Sequence, residues 1–468
     1  MRKRLLTVIN AIIVLMVLYF ACSCCSARYN LSLTDAEPVE HATSSSVHDD
    51  QTLMYACFSG GGTRAMAMGY EVVNMLAKVP YKVYITGPGS RDTTSLRDEI
   101  DYTSGVSGGA FVSAALAVYP QKEWSEFYRV GVSRNIQGSI IRRLLAVKNW
   151  PRLLSPYYNR TDLASEFYDR RVFKRMTIGQ LPVRPVVYLN TTVLAVKSHL
   201  VFTDEYFRYI GSDINSYPVG FACAASSAFP GGFAPMTLKN YNTKYLPEDS
   251  LLTYARYRLA VANSQSDIEQ RNWAQMYRFF KDTTNRWLHV SDGGIAGNTG
   301  IERVLDDWHT NGVISRAIND PAHPIKRLII VVVNSGTDKP DESCFKRRAP
   351  NTLKTILYTT TTAMDLLSQT RTAQLKARVD ELWTVIQQSA GHDPSLAQLE
   401  KPYLIEVNAR NLKNRQLRDE FDVIPTSFDL PDSQLRVIKQ VVSELLSYNS
   451  EYQRLLQAVV EDNIKNKH

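Results

Sequence analysis

Apolar residues along the chain follow two patterns. Near-continuous apolar runs of strand length occupy residues 53–58, 185–189, 200–202 and 328–333. Such runs are typical of strands that are buried on both faces of a largely parallel sheet. Apolar positions at helical spacing predict helices over residues 65–79, 111–118, 351–383 and 432–460. Because strands and helices alternate, we expect an α/β fold in which a central, largely parallel sheet is flanked by helices.

The N-terminus differs in pattern from the rest of the chain. A basic start is followed by an apolar run over residues 5–21, which ends at a cluster of three cysteines. Residues 1–25 are therefore predicted to target the chain to a membrane, with the remainder extracytoplasmic. The junction before Cys22 resembles a bacterial lipoprotein signal, in which Cys22 is lipidated. The alternative is a retained single-span anchor with S-acylation of the cluster Cys22, Cys24 and Cys25. Residues 26–51 lack apolar periodicity and are expected to form a flexible tether.

Composition and charge restrict the class of protein. The chain has 468 residues, a formal net charge of +8 and 44% hydrophobic residues, which excludes disordered and collagen-like chains. The charge surplus is small and spread along the chain, so no nucleic-acid partner is expected, and a mildly basic surface also suits anionic lipid. Cys57, Cys223 and Cys344 are scattered and have no histidine at ligand spacing, so neither a metal site nor a disulfide framework is expected. Residues 52–468 are predicted to form one domain.

A glycine turn follows the first apolar run. Residues 59–64 read Ser-Gly-Gly-Gly-Thr-Arg and lie between a predicted strand and a predicted helix. Such a turn leaves backbone N–H groups unpaired at a helix N-terminus, where they favour an anion. A dinucleotide site would need an acidic residue about 20 positions further on, and none lies between Glu71 and Asp92. An oxyanion hole and a purely structural turn are the other two interpretations.

A second motif, G-x-S-x-G, spans Gly105 to Gly109 with Ser107 at its centre. A short strand-like piece from Glu99 precedes it and a predicted helix follows, which is the context of a nucleophile elbow. The glycines allow a sharp turn that exposes the hydroxyl at the head of a helix. Ser107 is therefore a candidate nucleophile, although isolated matches to this motif are common.

A serine nucleophile needs a base to take its proton. Three of the eight histidines are candidates for that base: His199, His289 and His309. None of the three lies in a setting that singles it out as a triad member. A different base is offered by Asp292 in the sequence Asp292-Gly293-Gly294, which follows strand-like residues 287–290. Open α/β sheets place their ligands at such strand ends.

The three motifs in this order, Gly60-Gly61-Gly62-x-Arg64, Gly105-x-Ser107-x-Gly109 and Asp292-Gly293-Gly294, resemble those of the patatin-like phospholipase family. The resemblance implies a three-layer α/β fold and calcium-independent hydrolysis of lipid acyl esters by a Ser–Asp dyad, without a cofactor. It implies that Ser107 is the nucleophile and Asp292 the base. It also implies that the N–H groups of Gly60 to Gly62 form the oxyanion hole, supported by Arg64. A Ser/Ala-rich block at 225–235 and a helix after Pro425 extend the likeness over about residues 53–446.

Two features depart from the family pattern. Ser59 stands where aspartate is frequent, and a Tyr/Arg-rich insertion spans about residues 239–286. The insertion is a candidate lipid contact, with a helical excursion packed on the core as the alternative. From about residue 351 the chain is expected to be mainly helical. We therefore expect a membrane-associated hydrolase of phospholipids or lysophospholipids; the alternatives are a carboxylesterase with a Ser-His-Asp triad and a non-catalytic membrane scaffold of the same fold.

Overall fold

The computed structural model describes residues 29–34, 51–87, 90–241, 284–308, 312–338, 349–389 and 398–465, with isolated residues between these ranges. Cys22, His309, almost all of the targeting segment, and most of the tether and of the insertion lie outside the described residues. Their predicted roles stay predictions. Among the helices that the structure describes, none is both long enough and apolar enough to cross a membrane.

The strands form a mixed central sheet and a small second sheet. Their bounds are β1 (Thr52–Phe58), β2 (Pro80–Gly87), β3 (Ser90–Ser95), β4 (Tyr102–Val106), β5 (Val186–Val193), β6 (Ser198–Val201), β7 (Met236–Lys239), β8 (Trp287–Asp292), β9 (Arg327–Asn334) and β10 (Tyr403–Asn408). The central sheet has the order β10-β9-β1-β4-β5-β8-β7, with β6 paired to β5, while β2 and β3 pair with each other. Neighbours from β10 to β5 are parallel. Strands β6, β7 and β8 join antiparallel.

Helices flank this sheet, as the α/β prediction requires. Their bounds are α1 (Gly62–Leu76), α2 (Gly108–Val118), α3 (Trp124–Phe127), α4 (Ile136–Leu145), α5 (Trp150–Leu153), α6 (Arg160–Arg171), α7 (Asp204–Tyr209), α8 (Val219–Ser226), α9 (Glu302–Asp307), α10 (Val313–Ile318), α11 (Thr352–Ser389), α12 (Arg415–Asp422), α13 (Asp432–Tyr448) and α14 (Ser450–Lys465). Shorter 3-10 turns lie at Val147–Asn149 and Gly293–Ile295, among others. The predicted fold class is confirmed.

The most hydrophobic strands lie in the middle of the sheet. All seven residues of β1 are buried, and β9 is buried along its length except at Asn334. Cys57 is a buried free thiol within β1. These two strands pair in parallel along their whole length, so the apolar runs at 53–58 and 328–333 are strands covered on both faces, as predicted.

All four predicted helices are present, with ends that differ by up to six residues, and one of the four is divided. The predicted helix over residues 432–460 is divided at Asn449, whose backbone is extended. The Asn449 side chain accepts a hydrogen bond of 2.9 Å from the N–H of Tyr452 and so caps α14. An asparagine with this local hydrogen bond competes with helix continuation, and apolar spacing alone does not reveal it.

The insertion connects two neighbouring antiparallel strands. Lys239, at the end of β7, pairs with Trp287 at the start of β8. The N–H of Asn240 also donates to the carbonyl of Arg286 at 2.9 Å. The ends of the insertion therefore meet, and β8 keeps its position in the sheet whatever lies between them.

Candidate active site

Strand register brings the three motifs together. Phe58, which precedes the glycine turn, pairs with Gly105 across β1 and β4. Val106, which precedes Ser107, pairs with Asn190 on β5. The next residue of β5, Thr191, pairs with Asp292. Asp292 reaches this point because β8 runs antiparallel to β5 and ends beside Thr191, near the carboxyl end of β5.

Ser107 lies in a strained turn between β4 and α2. Its backbone angles are φ 51° and ψ −119°, a region that non-glycine residues rarely adopt. Such strain is held only where the surroundings fix the backbone. The predicted nucleophile elbow therefore has the strand–turn–helix geometry that it requires.

Glycines around Ser107 allow backbones to touch. A Cβ on Gly108 would lie 2.0 Å from the carbonyl oxygen of Gly62, and one on Gly109 would lie 2.3 Å from that of Phe58. A Cβ on Gly105 would lie 2.4 Å from the carbonyl oxygen of Gly109. Each contact is with backbone, which cannot move aside as a flexible side chain can. The motif glycines are thus required by close packing of the elbow against the glycine turn.

A hydrogen-bond network from β5 and α8 fixes the elbow. Ser226 Oγ accepts the N–H of Ser107 at 2.9 Å and donates to the carbonyl of Asn190 at 2.7 Å. Asn190 Nδ2 donates to the carbonyl of Gly105 at 2.9 Å and to Ser104 Oγ at 3.0 Å. These bonds satisfy buried polar groups that would otherwise have no hydrogen-bond partner in the turn. The Ser/Ala-rich block therefore packs against Ser107, as the resemblance implied.

Asp292 is the buried carboxylate of the site, with 1% of its surface exposed. Its Oδ1 accepts the N–H of Gly294 at 2.8 Å, and its own N–H donates to the carbonyl of Ala228 at 3.1 Å. Burial raises the pKa of Asp292 to about 7, although hydrogen bonds from the Gly294 N–H and the Ser107 side chain act to lower it. The carboxylate is thus a stronger base than an exposed aspartate.

The glycine turn has two N–H groups that remain available. Gly61 and Gly62 have φ values of +140° and +59°, which favour glycine. The N–H of Gly60 donates to the carbonyl of Asn298 at 3.0 Å, and that of Thr63 donates to Ser427 at 2.7 Å. Within the described part of the chain, the N–H groups of Gly61 and Gly62 have no such partner. Of the three N–H donors predicted for the oxyanion hole, that of Gly60 is already bonded, and those of Gly61 and Gly62 are available.

Two helix N-termini meet at this point. Neither α1 nor α2 has a side chain that caps its first turn, and neither has an acidic residue there. Uncapped N–H groups and the positive ends of the helix dipoles favour an anion. The local field is therefore suited to negative charge that forms next to Ser107.

Arg64 supports the loop from outside rather than pointing at Ser107. Its Nη1 donates to the carbonyl of Ile424 at 2.6 Å, and its guanidinium lies 5.9 Å from the ring centre of Phe421. Burial lowers the pKa of Arg64 to about 10, which leaves it charged at neutral pH. The carbonyl of Ser427 lies so close to Gly62 that a Cβ there would be 2.4 Å away. The C-terminal part of the chain thus closes over the glycine turn.

The described histidine candidates have other partners. His199 is buried, with Nε2 lying 3.0 Å from Asp306 Oδ2. His289 is exposed on β8, and its Nδ1 lies 3.1 Å from Thr237 Oγ1. The carboxylate whose pKa the Ser107 side chain acts on is that of Asp292. The geometry therefore favours the aspartate among the bases that the sequence left open.

Sequence reasoning missed two side chains of the site. Asn298 Oδ1 lies between the two glycine loops, 2.2 Å from where a Cβ on Gly60 would stand and 2.6 Å from one on Gly294. The methyl group of Met364, on α11, would lie 2.3 Å from a Cβ on Gly294. Asn298 is only six residues from Asp292 and could have been considered with it. No local pattern indicates Met364, because α11 is about 70 positions further along the chain.

The chemistry of this arrangement follows from its parts. Acyl transfer to serine needs a nucleophilic hydroxyl, a base and donors for an oxyanion. The site has a serine on a strained turn, a buried carboxylate with a raised pKa, and unpaired N–H groups at two helix ends. Among the described residues, no group of three histidine, cysteine or acidic side chains is placed to hold a metal ion.

Comparison with known proteins gives one match. A family model described as Patatin-like phospholipase matches residues 56–305, more than half of the chain, and the matched range includes all three motifs. No curated protein matches the chain in sequence. The matched range ends within α9, so α11 to α14 lie beyond it.

Replacing Gly108 by alanine tests the backbone contact. The new Cβ would stand 2.0 Å from the carbonyl oxygen of Gly62, so one of the two backbones must shift. We expect Gly108→Ala to lower the free energy of unfolding by about 3 kcal/mol, measured by urea denaturation. Gly232→Ala is the matched control, because its Cβ would meet nothing nearer than 3.7 Å. A Gly108→Ala protein as stable as this control would contradict the assigned contact.

Replacing Asp292 by asparagine tests the raised pKa. Between the unfolded pKa of about 4 and the folded value of about 7, the folded protein holds a proton that the unfolded chain has lost. The wild type therefore loses stability as pH rises through this window, whereas Asp292→Asn does not. We expect the stability of the variant relative to wild type to increase by about 3 kcal/mol from pH 5 to pH 8. A difference that is constant with pH in urea denaturation would show that the carboxylate is not perturbed.

Proposed function

Because the chain belongs to the patatin-like phospholipase family, we propose that it hydrolyses acyl esters of lipids with Ser107 and Asp292 as a catalytic dyad. One observation carries the proposal. The Asp292 carboxylate is buried, burial raises its pKa to about 7, and the Ser107 side chain lies close enough to act on that pKa. Direct contact of nucleophile and base makes a histidine between them unnecessary.

The first half-reaction acylates Ser107. The hydroxyl oxygen attacks the ester carbonyl while its proton moves to Asp292. The tetrahedral intermediate then collapses, and the leaving alcohol takes the proton from Asp292. This step breaks the ester bond and leaves the acyl group on Ser107.

The second half-reaction restores the enzyme. Water gives its proton to Asp292 and attacks the acyl-enzyme, and Ser107 recovers the proton as the fatty acid leaves. Each carboxylate protonation is matched by one release, so Asp292 ends ionised. A base with a pKa of about 7 is half ionised at neutral pH and accepts a proton more readily than an ordinary aspartate.

The oxyanion hole in this mechanism consists of backbone donors. The N–H groups of Gly61 and Gly62 are available, and the N–H of Gly108, directly after the nucleophile, lies next to Gly62. Loss of one such donor costs about 3 kcal/mol of transition-state stabilisation. Because these groups supply the positive field, we propose that hydrolysis is independent of calcium.

We propose phospholipids or lysophospholipids as substrates and the membrane surface as their source. The family indicates a lipid acyl hydrolase. The apolar run at residues 5–21 and the cysteine after it support delivery to a membrane, with the catalytic domain extracytoplasmic. Lipidation of Cys22 is proposed as the means of attachment, and a retained single-span anchor is the alternative.

Substitution of the dyad tests the proposed chemistry. We expect Ser107→Ala and Asp292→Asn each to lower hydrolysis of a fluorogenic phospholipid at least ~10³-fold, since each removes a group that takes part in the chemical step. The assay uses the full chain in detergent micelles with a calcium chelator. Wild-type turnover in chelator is required by the proposal.

Histidine variants are the controls for this experiment. His289→Ala, His199→Gln and His309→Ala are expected to retain activity within about threefold, provided that their melting temperatures show a folded protein. A loss in any of them equal to that of Ser107→Ala would support a Ser-His-Asp triad. A folded wild type that is inert on phospholipids and on short esters would favour the non-catalytic scaffold.

Intact mass tests the proposed attachment. For protein extracted from bacterial membranes, we expect a chain that begins at Cys22 and carries added lipid. Cys22→Ser should remain at the unprocessed mass. A chain beginning at Met1 with no added lipid would contradict lipidation and acylation alike.

A further inference from the structure

An exposed apolar face lies on α4, α5 and the turns that follow them. Six large hydrophobic side chains within seventeen residues are each between 45% and 70% exposed: Ile141, Leu145, Val147, Trp150, Leu154 and Tyr157. Soluble surfaces rarely gather so many large apolar groups in one short segment. We call residues 136–160, which carry this face, the basic segment.

The same segment carries an unusual charge. Residues 136–160 contain five basic residues and no acidic one, and the acid-free stretch around them, residues 127–161, contains seven basic residues. Part of the net charge of +8 is therefore concentrated here, which the expectation of a charge spread along the chain missed. Arg152 pairs with Glu166, whereas Arg142, Lys148 and Arg160 have no ion pair with any described residue. A cationic face interleaved with aliphatic and aromatic groups is the composition of a surface that binds anionic lipid.

The face is a folded feature and not a frayed end. The Asn135 side chain accepts the N–H of Gly138 and caps α4, and the two arginines in its last turn suit the helix dipole. Trp150 Nε1 donates to the carbonyl of Leu144 at 3.2 Å, which leaves its ring half exposed. Trp and Tyr with one satisfied polar group are typical of the membrane interface.

Both ends of the basic segment are attached to the rim of the active site. At one end, the N–H of Gln137 donates to the carbonyl of Phe428 at 3.2 Å. Phe428 follows Ser427, whose carbonyl contacts Gly62. At the other end, Arg160 Nη2 donates to the carbonyl of Gly231 at 3.3 Å, in the block that follows Ser226. The basic segment is therefore attached to the two stretches of chain that pack against the glycine turn and against the elbow at Ser107.

We infer that the basic segment docks on an anionic lipid surface and holds the active-site opening against it. This inference rests on the proposed function for its purpose, since it names the surface from which the site takes its lipid. Charge complementarity selects the occupant: unpaired cations fit anionic head groups, and the aliphatic side chains between them fit the outer acyl region. Nucleic acid would use the cations but leave Leu145, Val147 and Leu154 in water.

Docking is tested with the full chain reconstituted in vesicles that contain 30 mol% phosphatidylglycerol. Brominated acyl chains should quench the fluorescence of Trp150. Because the chain has six tryptophans, the quenched component is assigned to Trp150 by its absence in Trp150→Phe. Leu145→Glu with Leu154→Glu should remove that quenching and lower hydrolysis of a fluorogenic phospholipid in the vesicles at least ~10-fold, because two exposed leucines that docking would bury in lipid become charged. Turnover of a short water-soluble ester should change less than about twofold.

Charge is tested separately. Arg142→Gln with Lys148→Gln should weaken docking about fivefold per charge on phosphatidylglycerol vesicles, and not on pure phosphatidylcholine. The matched control for Leu145→Glu with Leu154→Glu is Val460→Glu with Ile464→Glu. These two side chains on α14 are about as exposed as those of the basic segment. This control should leave quenching and both activities unchanged.

Other outcomes decide against the inference. If the Trp150 fluorescence of the wild type is not quenched, the docking inference is overturned, whatever the rate of lipid hydrolysis. Light scattering that shows a dimer in wild type and a monomer in Leu145→Glu with Leu154→Glu would assign the face to a second copy of the chain. If the wild type hydrolyses neither the lipid nor the soluble ester, the proposed function fails, while quenching at Trp150 still tests docking by itself.

Discussion

The contact of two backbones, at Gly62 and Gly108, is the constraint on which the rest of the site depends. It places the first turn of α1 against the first turn of α2, so two uncapped helix ends face one point. A side chain on Gly108 would separate the two helices, because its Cβ would stand 2.0 Å from the carbonyl oxygen of Gly62. The positive φ of Ser107 is the consequence, because the chain must leave β4 and enter α2 within one residue of that contact. The strain is held by Ser226 at the end of α8 and by Asn190 on β5, which both bond to the elbow.

Asp292 is positioned by a different principle. It is brought to the carboxyl end of β4 and β5 by a strand that runs antiparallel to them and ends there. This placement buries the carboxylate, and burial is what raises its pKa. The same burial makes the ionised form unfavourable, so base strength and stability oppose each other at this residue. The insertion can be long without disturbing the base, since its two ends meet at Asn240 and Arg286.

Local features were predictable from the sequence, and long-range ones were not. The glycine turn, the elbow at Ser107 and the apolar runs of β1 and β9 each depend on neighbours in sequence, and all were located correctly. The bond from Arg64 to Ile424 joins residues 360 positions apart, and that from Ser107 to Ser226 joins residues 119 apart. No periodicity or motif contains such information. The interruption at Asn449 and the engagement of the Gly60 N–H by Asn298 likewise depend on hydrogen bonds that only the folded chain shows.

Charge illustrates the same limit in another way. A net value of +8 for 468 residues suggests an ordinary surface, yet residues 127–161 contain seven cations and no anion. The functional interpretation of this stretch depends on its exposure and on its two attachments. One is to Phe428 beside the glycine turn, and the other is to Gly231 beside the Ser226 block. A lipid hydrolase must take its substrate from an aggregate rather than from solution. If it docks as proposed, a cationic apolar face attached to both of these stretches would orient the elbow towards the aggregate, so that the acyl chain meets Ser107 without crossing water.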